Sequence, residues 1–327
     1  MEIIRLKETS PEWKKAWELY TEAATRGEIL YASMDPDTFR GSLSCRTEGI
    51  RTVNLMEKDG QAFASGCLDK NSGKLFVTMV LVEEKRRRQG KGKEILSVLE
   101  HLLEEEKGCP DTKTIFELSF FNPVTLTWEV PGLHGVTHPN APGVDVGGMA
   151  YLFFKNCGYR EFALQNSYYL NLKDFAYPER FRERKDGLAQ EGVTFQTYDR
   201  RHHRGMETML QEFGNPIWER EISKEPDLGH GGRPILVPVQ GGQVLGFTGP
   251  LSVEPGGRGY FAGIAVSAGA RGKGLGKLLF YELCRGLQGQ GASYMTLFTG
   301  ENNPARNIYE EAGFRIVRSW SDMRKQK

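Results

Sequence analysis

The strongest constraint on what this chain can fold into is that part of it occurs twice. The stretch "LFVTMVLVEEKRRRQGKGKEILSVLEHLLEE" (75–105) aligns with "YFAGIAVSAGARGKGLGKLLFYELCRGL" (260–287) when Arg87 is set on Arg271. Each copy runs from a β-rich apolar stretch through a basic glycine loop into an apolar pattern at helical spacing. A valine, Val82 or Val266, closes the apolar stretch, and the glycines follow the arginine as R-x-x-G-x-G. Further on, "AYLFFKNCGYREF" (150–162) repeats as "ARNIYEEAGFRIV" (305–317). The first copy alone carries extra residues before this segment, "NPVTLTWEVPGLHGVTHPNAPGVDVGG" (122–148). A repeated strand, loop and helix predicts two α/β domains of one plan. We place them at 1–175 and 192–327, joined by a charged linker at 176–191.

Composition narrows the class. At 327 residues the chain is long enough for two hydrophobic cores, and 39% hydrophobic with 26% charged residues is the profile of a globular protein. Lys+Arg (43) nearly cancels Asp+Glu (42), so no global charge favours nucleic acid or an anionic membrane. The basic run Lys85 to Arg88 is too short to change that. The N-terminus lacks a secretory pattern and the apolar runs are strand-sized, which predicts a cytoplasmic protein without membrane spans. The 5 cysteines are scattered without a CxxC pair, as expected of reduced thiols. His134 and His138 sit among Gly and Pro, too irregular for a zinc pair, and no metal site is expected.

The loop "ARGKGLGKLLF" (270–280) suggests phosphate binding, but it fails both nucleotide patterns. A Walker A loop requires GxxxxGK[ST], and Gly276-Lys277 is preceded by Arg271 and followed by Leu278. A dinucleotide loop requires GxGxxG, and Gly272, Gly274 and Gly276 run GxGxG. What remains is a run of backbone N–H groups at a helix N-terminus, a favourable place for an anion, with Arg271, Lys273 and Lys277 around it. The plain alternative is a tight strand-to-helix connection.

This loop, with "ENNPARNIYEEAGF" (301–314) some way downstream, resembles the GNAT superfamily of acyl-CoA-dependent N-acyltransferases. The residues carrying the resemblance are the R-x-x-G-x-G loop together with Asn302, Ala305, Tyr309, Gly313 and Phe314. It implies two tandem GNAT-like α/β domains, each a mixed, mostly antiparallel sheet flanked by helices and splayed at the acyl-CoA site. It implies an N-acetyltransferase that moves an acetyl group from acetyl-CoA to a primary amine of a small molecule by direct attack in a ternary complex. Carried over by position, the backbone of Ile264, Ala265 and Val266 would pair with the pantetheine arm, and amides of Arg271, Gly272, Lys273, Gly274, Leu275 and Gly276 would hold the pyrophosphate. Asn302 would bond the pantetheine, and Tyr309 would protonate the leaving thiolate. Tyr309 also fits a bland reading as a core-edge tyrosine.

The general base is not legible. Glu254, just ahead of the cofactor strand, is the first candidate, with Glu221 and Asp227 behind it. The first copy departs from the pattern, because Phe154 stands where Tyr309 does and Gly147 where Asn302 does. Its loop keeps Arg87, Arg88, Gly90, Lys91 and Gly92 after Val82, so it is either a second cofactor site or a scaffold. The C-terminal domain is therefore expected to catalyse. The insertion 122–148, with Trp128, His134, His138 and Asp145, is either a substrate wall or a strap between domains. Two other functions stay open: a non-catalytic acyl-CoA sensor, and an acetyltransferase acting on a protein amine. The acceptor's identity and the oligomeric state are not readable.

Overall fold

The computed structural model describes residues 2–45, 47–108, 113–223 and 232–327. The chain forms two compact units, and neither is one continuous stretch. The first comprises Met1–Ser167, Phe298–Glu301 and Val317–Lys327, and the second Tyr168–Leu297 and Asn302–Ile316.

In the first unit β1 (Ile3–Arg5), α1 (Trp13–Thr25), α2 (Pro36–Leu43), β2 (Ile50–Glu57), β3 (Ala62–Asp69), β4 (Lys74–Val82), α3 (Lys91–Lys107) and β5 (Ile115–Leu118) come first. The insertion supplies β6 (Trp128–Glu129), β7 (Thr137–His138) and β8 (Val144–Asp145). Then come α4 (Met149–Asn156) and β9 (Arg160–Asn171), which passes into the second unit at Tyr168. The second unit continues with α5 (Glu179–Gln190), β10 (Val193–Thr197), α6 (Met206–Phe213), α7 (Pro216–Ser223), β11 (Leu236–Gln240), β12 (Gln243–Val244) and β13 (Gly246–Thr248). It closes with β14 (Arg258–Gly259), β15 (Ile264–Val266), α8 (Leu275–Gly289), β16 (Tyr294–Gly300) and α9 (Arg306–Glu311). The last strand, β17 (Arg315–Gln326), returns to the first unit from Val317.

Both units build a helix-covered sheet that opens at one place. In the first, the order is β1-β2-β3-β4-β5-β17-β9. β4 and β5 run parallel but pair only at Leu75↔Phe116 and Phe76↔Glu117, and then part. A bulge against β3 leaves Thr78 out of register at the start of the gap, because Met79 pairs Ser65 and Val77 pairs Gly66. In the second unit, β14 pairs parallel with β16 at Arg258↔Tyr294 and Gly259↔Met295. The chain then leaves β16, and β15 pairs only β13, ending the β10-β11-β13-β15 sheet. With Arg87 on Arg271, Leu75 falls on Gly259, so the two sheets open within one residue of the same point of the repeat.

The expected domain limits differ from these units in two respects. Residues 176–191 are not a linker: α5 buries Phe181 and Leu188 in the second unit's core, with Phe181 stacked on Tyr281 at 4.0 Å. The C-terminal end does not stay in the second domain either, because β17 pairs antiparallel with β5, from Met323↔Leu118 to Gln326↔Ile115. Trp320, Ser321, Asp322 and Met323 are buried there. Glu100 on α3 anchors the strand's end, accepting from Lys325 at 2.7 Å and from the Tyr159 hydroxyl at 2.9 Å.

The insertion belongs to the first unit throughout. β6 and β7 form a hairpin, β8 pairs with β17, and the buried Trp128 meets Trp320 edge-on at 4.9 Å. It is a wall of that unit. Among the described residues no helix is long and apolar enough to cross a membrane.

Candidate active site

The site of the second unit starts at the opening between β14 and β15. Tyr260 is the first residue beyond β14, and the segment that follows is held by two bonds from elsewhere. The Trp218 indole donates to the Ala262 carbonyl at 3.1 Å, and the Thr248 hydroxyl donates to the Gly263 carbonyl at 3.0 Å. One edge of Ile264, Ala265 and Val266 pairs with β13, and the other has no strand partner among the described residues. Backbone groups along that edge can pair with an extended ligand as a further strand would.

The glycine loop follows. Gly272 and Gly274 take φ +79° and +76°, a region that favours glycine, and Gly274 caps α8. The amides of Gly272 through Lys277 have no acceptor among the described residues. They form a donor array at the positive end of a helix of 15 residues.

Arg271 does not belong to that array. Its amide donates to the Ala268 carbonyl, and its guanidinium turns back to the Val266 carbonyl at 3.2 Å. The arginine of the motif ties the strand end to the loop instead of presenting charge to a ligand. Lys277 is likewise engaged, with Glu311 at 2.6 Å, whereas the exposed Lys273 has no side-chain partner among the described residues.

Three elements converge on Gly276. A Cβ there would lie 3.7 Å from both Ile308 on α9 and Val266 on β15. On the next residue, Tyr309, the ring is buried against Phe280 at 4.9 Å, with Tyr168, Phe261 and Phe314 around it. Its hydroxyl has no hydrogen-bond partner among the described residues. Burial, with a smaller effect from Tyr168, pushes its pKa up to about 12, so it holds its proton at neutral pH. Asn302 is exposed at the entry to this segment.

Glu254 is not placed to act as a base. Both of its oxygens accept from the buried Arg258 guanidinium, at 2.7 and 2.8 Å, and Arg258 also donates to the Thr296 carbonyl. The pair is structural. Glu221 on α7 lies instead beside the opening, accepting the Tyr260 hydroxyl at 3.0 Å, with Arg220 at 3.3 Å and Arg233 at 3.7 Å. Burial pushes the Glu221 carboxyl up, but the bond from Tyr260 and the two arginines outweigh it, so it ionises below its ordinary value. Burial and Glu221 together raise Tyr260 to about 12. Asp227 lies outside the described residues. Sequence reasoning missed Tyr260, Trp218 and Thr248; where the sheet opens, at Tyr260, came only from the strand pairings.

The first unit repeats this geometry with changed chemistry. Arg87 donates to the Val82 carbonyl at 3.0 Å, as Arg271 does to Val266, and its guanidinium pairs with Glu28 at 2.6 Å. Lys91 is paired with the buried Glu57. The amides of Arg88 through Lys93, which include those of Gly90 and Gly92, again lack acceptors among the described residues. Phe154, without a hydroxyl, occupies the tyrosine's place. Gly147 stands for Asn302 for a steric reason: a Cβ there would lie 2.6 Å from the Arg318 guanidinium, which Asp145 clamps with two bonds of 2.6 Å.

Residues 202–314 match the model of the acetyltransferase (GNAT) family. The chain carries a GNAT acetyltransferase domain. No curated protein matches the sequence, but solved structures of the GNAT fold do. A glucosamine N-acetyltransferase region of a fungal multi-domain GH3 β-N-acetylglucosaminidase superposes with a TM-score of 0.70 at 15% identity over 99% of this chain, which spans 38% of that protein. A GCN5-related N-acetyltransferase from Sphaerobacter thermophilus matches with a TM-score of 0.60 at 14% identity, covering 99% of this chain and 95% of its own. A tandem GNAT protein from the clavulanic acid biosynthesis pathway gives 0.59 at 16% identity, covering 99% and 98%. These likenesses establish the fold: two GNAT-like domains, each a mixed sheet flanked by helices. The family match places residues 202–314 among acetyltransferase domains, a family for which an acyl-CoA is the co-substrate.

Proposed function

We propose that the second unit transfers an acetyl group from acetyl-CoA to a primary amine of a small molecule, by direct attack within a ternary complex. The observation that carries this reading is Tyr309, a buried and protonated phenol with a free hydroxyl. It sits next to Ile308, which meets the cofactor strand and the loop helix at Gly276. The free edge of β15 takes the pantetheine arm, and the amides from Gly272 to Gly276 hold the pyrophosphate.

An amine of pKa about 10.4 is neutral in about one molecule in 2,500 at pH 7, so the site must take a proton before the nitrogen can attack. Glu221, ionised and bonded to Tyr260 at the opening, receives that proton. As the C–N bond forms, a backbone N–H of β15 stabilises the oxyanion. As the C–S bond breaks, Tyr309 gives its proton to the thiolate, the charged nitrogen of the intermediate releases its second proton to solvent, and Tyr309 recovers a proton from solvent.

Two substitutions separate this base from the one first expected. Glu221→Gln should lower kcat by about tenfold or more with little change in thermal stability. Glu254→Gln should leave kcat near normal but cost about 2–3 kcal/mol of stability, because it leaves the buried Arg258 charge half paired. Steady-state kinetics of thiol release, with thermal melts of both variants, check this, and a kcat loss confined to Glu254→Gln would reverse the assignment. The reading as a whole is tested by incubating the chain with acetyl-CoA and a panel of polyamines, amino acids and amino sugars. Absence of any acetylated product would count against it.

A further inference from the structure

The first unit has a chamber of its own. It encloses about 120 Å³ and lies where β4 and β5 part, between β4 residues Val77 to Leu81 and the end of β5, with α4 on one side and the insertion on another. We propose that this chamber holds the acyl chain of a second acyl-CoA, longer than acetyl, which the first unit binds without transferring. The proposal does not depend on catalysis by the second unit.

The lining chemistry selects the ligand. Both carboxylates at the wall are already neutralised, Glu28 by Arg87 at 2.6 Å and Asp145 by Arg318 at 2.6 Å. Asn122 donates to the Thr78 hydroxyl at 3.0 Å across the gap, and Ser119 donates to Glu117 at 3.2 Å. No unspent carboxylate among the described lining residues is left for an ammonium group. The larger part of the surface that remains is apolar, from Leu81, Val124, Leu126, Val144, Phe154 and Trp320, with Tyr31 and Asn140 among its polar neighbours. The insertion thus closes with apolar side chains the ground on which an amine would have to stand.

The route in is the one the repeat provides. β4 beyond Phe76 has no partner on the β5 side, as β15 has none beside β16. The free amides of Arg88 through Lys93 lie at the N-terminus of α3, a helix of 17 residues. α4 connects the two regions, because Phe153 meets Gly92 of the loop while its neighbour Phe154 lines the chamber. The volume is several times the roughly 10–15 Å³ that one water-sized group needs, so it has room for an acyl chain longer than acetyl. Phe154 cannot protonate a thiolate, so a thioester held there stays intact.

Calorimetric titration of the intact chain with butyryl-CoA and with acetyl-CoA tests the proposal. Two butyryl-CoA sites are expected, one of which prefers butyryl to acetyl about tenfold, the gain from burying two more methylenes. Filling the chamber with Ala141→Phe should abolish that preference. Placing carboxylates beside the amides with Gln89→Glu and Lys93→Glu, both on the surface, should remove this site for either acyl-CoA while the other site keeps binding. Thermal melts show whether each variant is folded. A single butyryl-CoA site, a second site indifferent to chain length, or one that survives both sets of substitutions would each overturn the proposal. If no amine is ever acetylated but two sites with this preference are found, the chamber stands and the catalytic reading falls.

Discussion

Replacing Tyr309 by phenylalanine should lower kcat for acetyl transfer by about 10²–10³-fold, within the range that a positioned general acid contributes. The ring's packing against Phe280 and Phe314 is kept, so stability should change little. The lost hydroxyl has no partner among the described residues, so its removal strands no buried donor or acceptor there. KM for acetyl-CoA should also hold, because the amide array and the β15 edge are untouched. The control is Tyr151→Phe in the first unit, the tyrosine nearest to Phe154 in sequence. Tyr151 lies under Lys155 at 5.0 Å, and its loss should leave kcat within about twofold. Equal losses in both variants would sink the assignment of catalysis to the second unit.

Removing residues 317–327 should unfold the first unit rather than trim its edge. In its sheet β17 lies between β5 and β9, an interior position, so its loss strips ladder bonds from both neighbours. Trp320 and Met323 go with it, each a buried side chain whose loss typically costs about 2–5 kcal/mol. Lys325 goes too, leaving the buried Glu100 carboxylate with Tyr159 alone of the partners named above. Against a typical total of about 5–15 kcal/mol, these losses are not survivable together. Limited proteolysis should show the truncated chain cut throughout 1–167, and its melt should lack the first unit's transition. A truncated protein that retains both would show that β17 is dispensable to the sheet.

How much of this was readable in the sequence depends on whether the signal was local. The loop from Gly272 to Gly276 was, because a glycine array before a helix is a property of a few adjacent residues. The repeat was as well, and it implied two domains of one plan, but where their sheets open came only from the strand pairings. The path of β17 was not: "RIVRSWSDMRKQ" (315–326) states a strand but not its neighbours, and the pairing partner at β5 is more than two hundred residues upstream. Glu254 was misjudged from its nearness in sequence to the cofactor strand. Arg258, four residues on, was the visible sign that its charge was already spent. Glu221 could be named as a carboxylate but not placed, since its bond to Tyr260 joins α7 to a segment that the chain reaches only after four more strands. The insertion read as an irregular run rich in Gly and Pro. Its two-residue strands are too short for any periodicity to show.

The return of the last strand also sets an order of events during synthesis. Domains usually fold as they leave the ribosome, N-terminal first, at about 5–20 residues per second. Here the first unit lacks an interior strand until residues 317–327 have been made, so residues 1–167 wait roughly 10–30 seconds after their own translation. Through that interval the edges of β5 and β9 are open, and such edges recruit other chains. The two halves are therefore one unit of biosynthesis, although each has its own core. A nascent chain stalled before residue 317 should remain protease-sensitive from 1 to 167, and release of a chain that includes residues 317–327 should protect it.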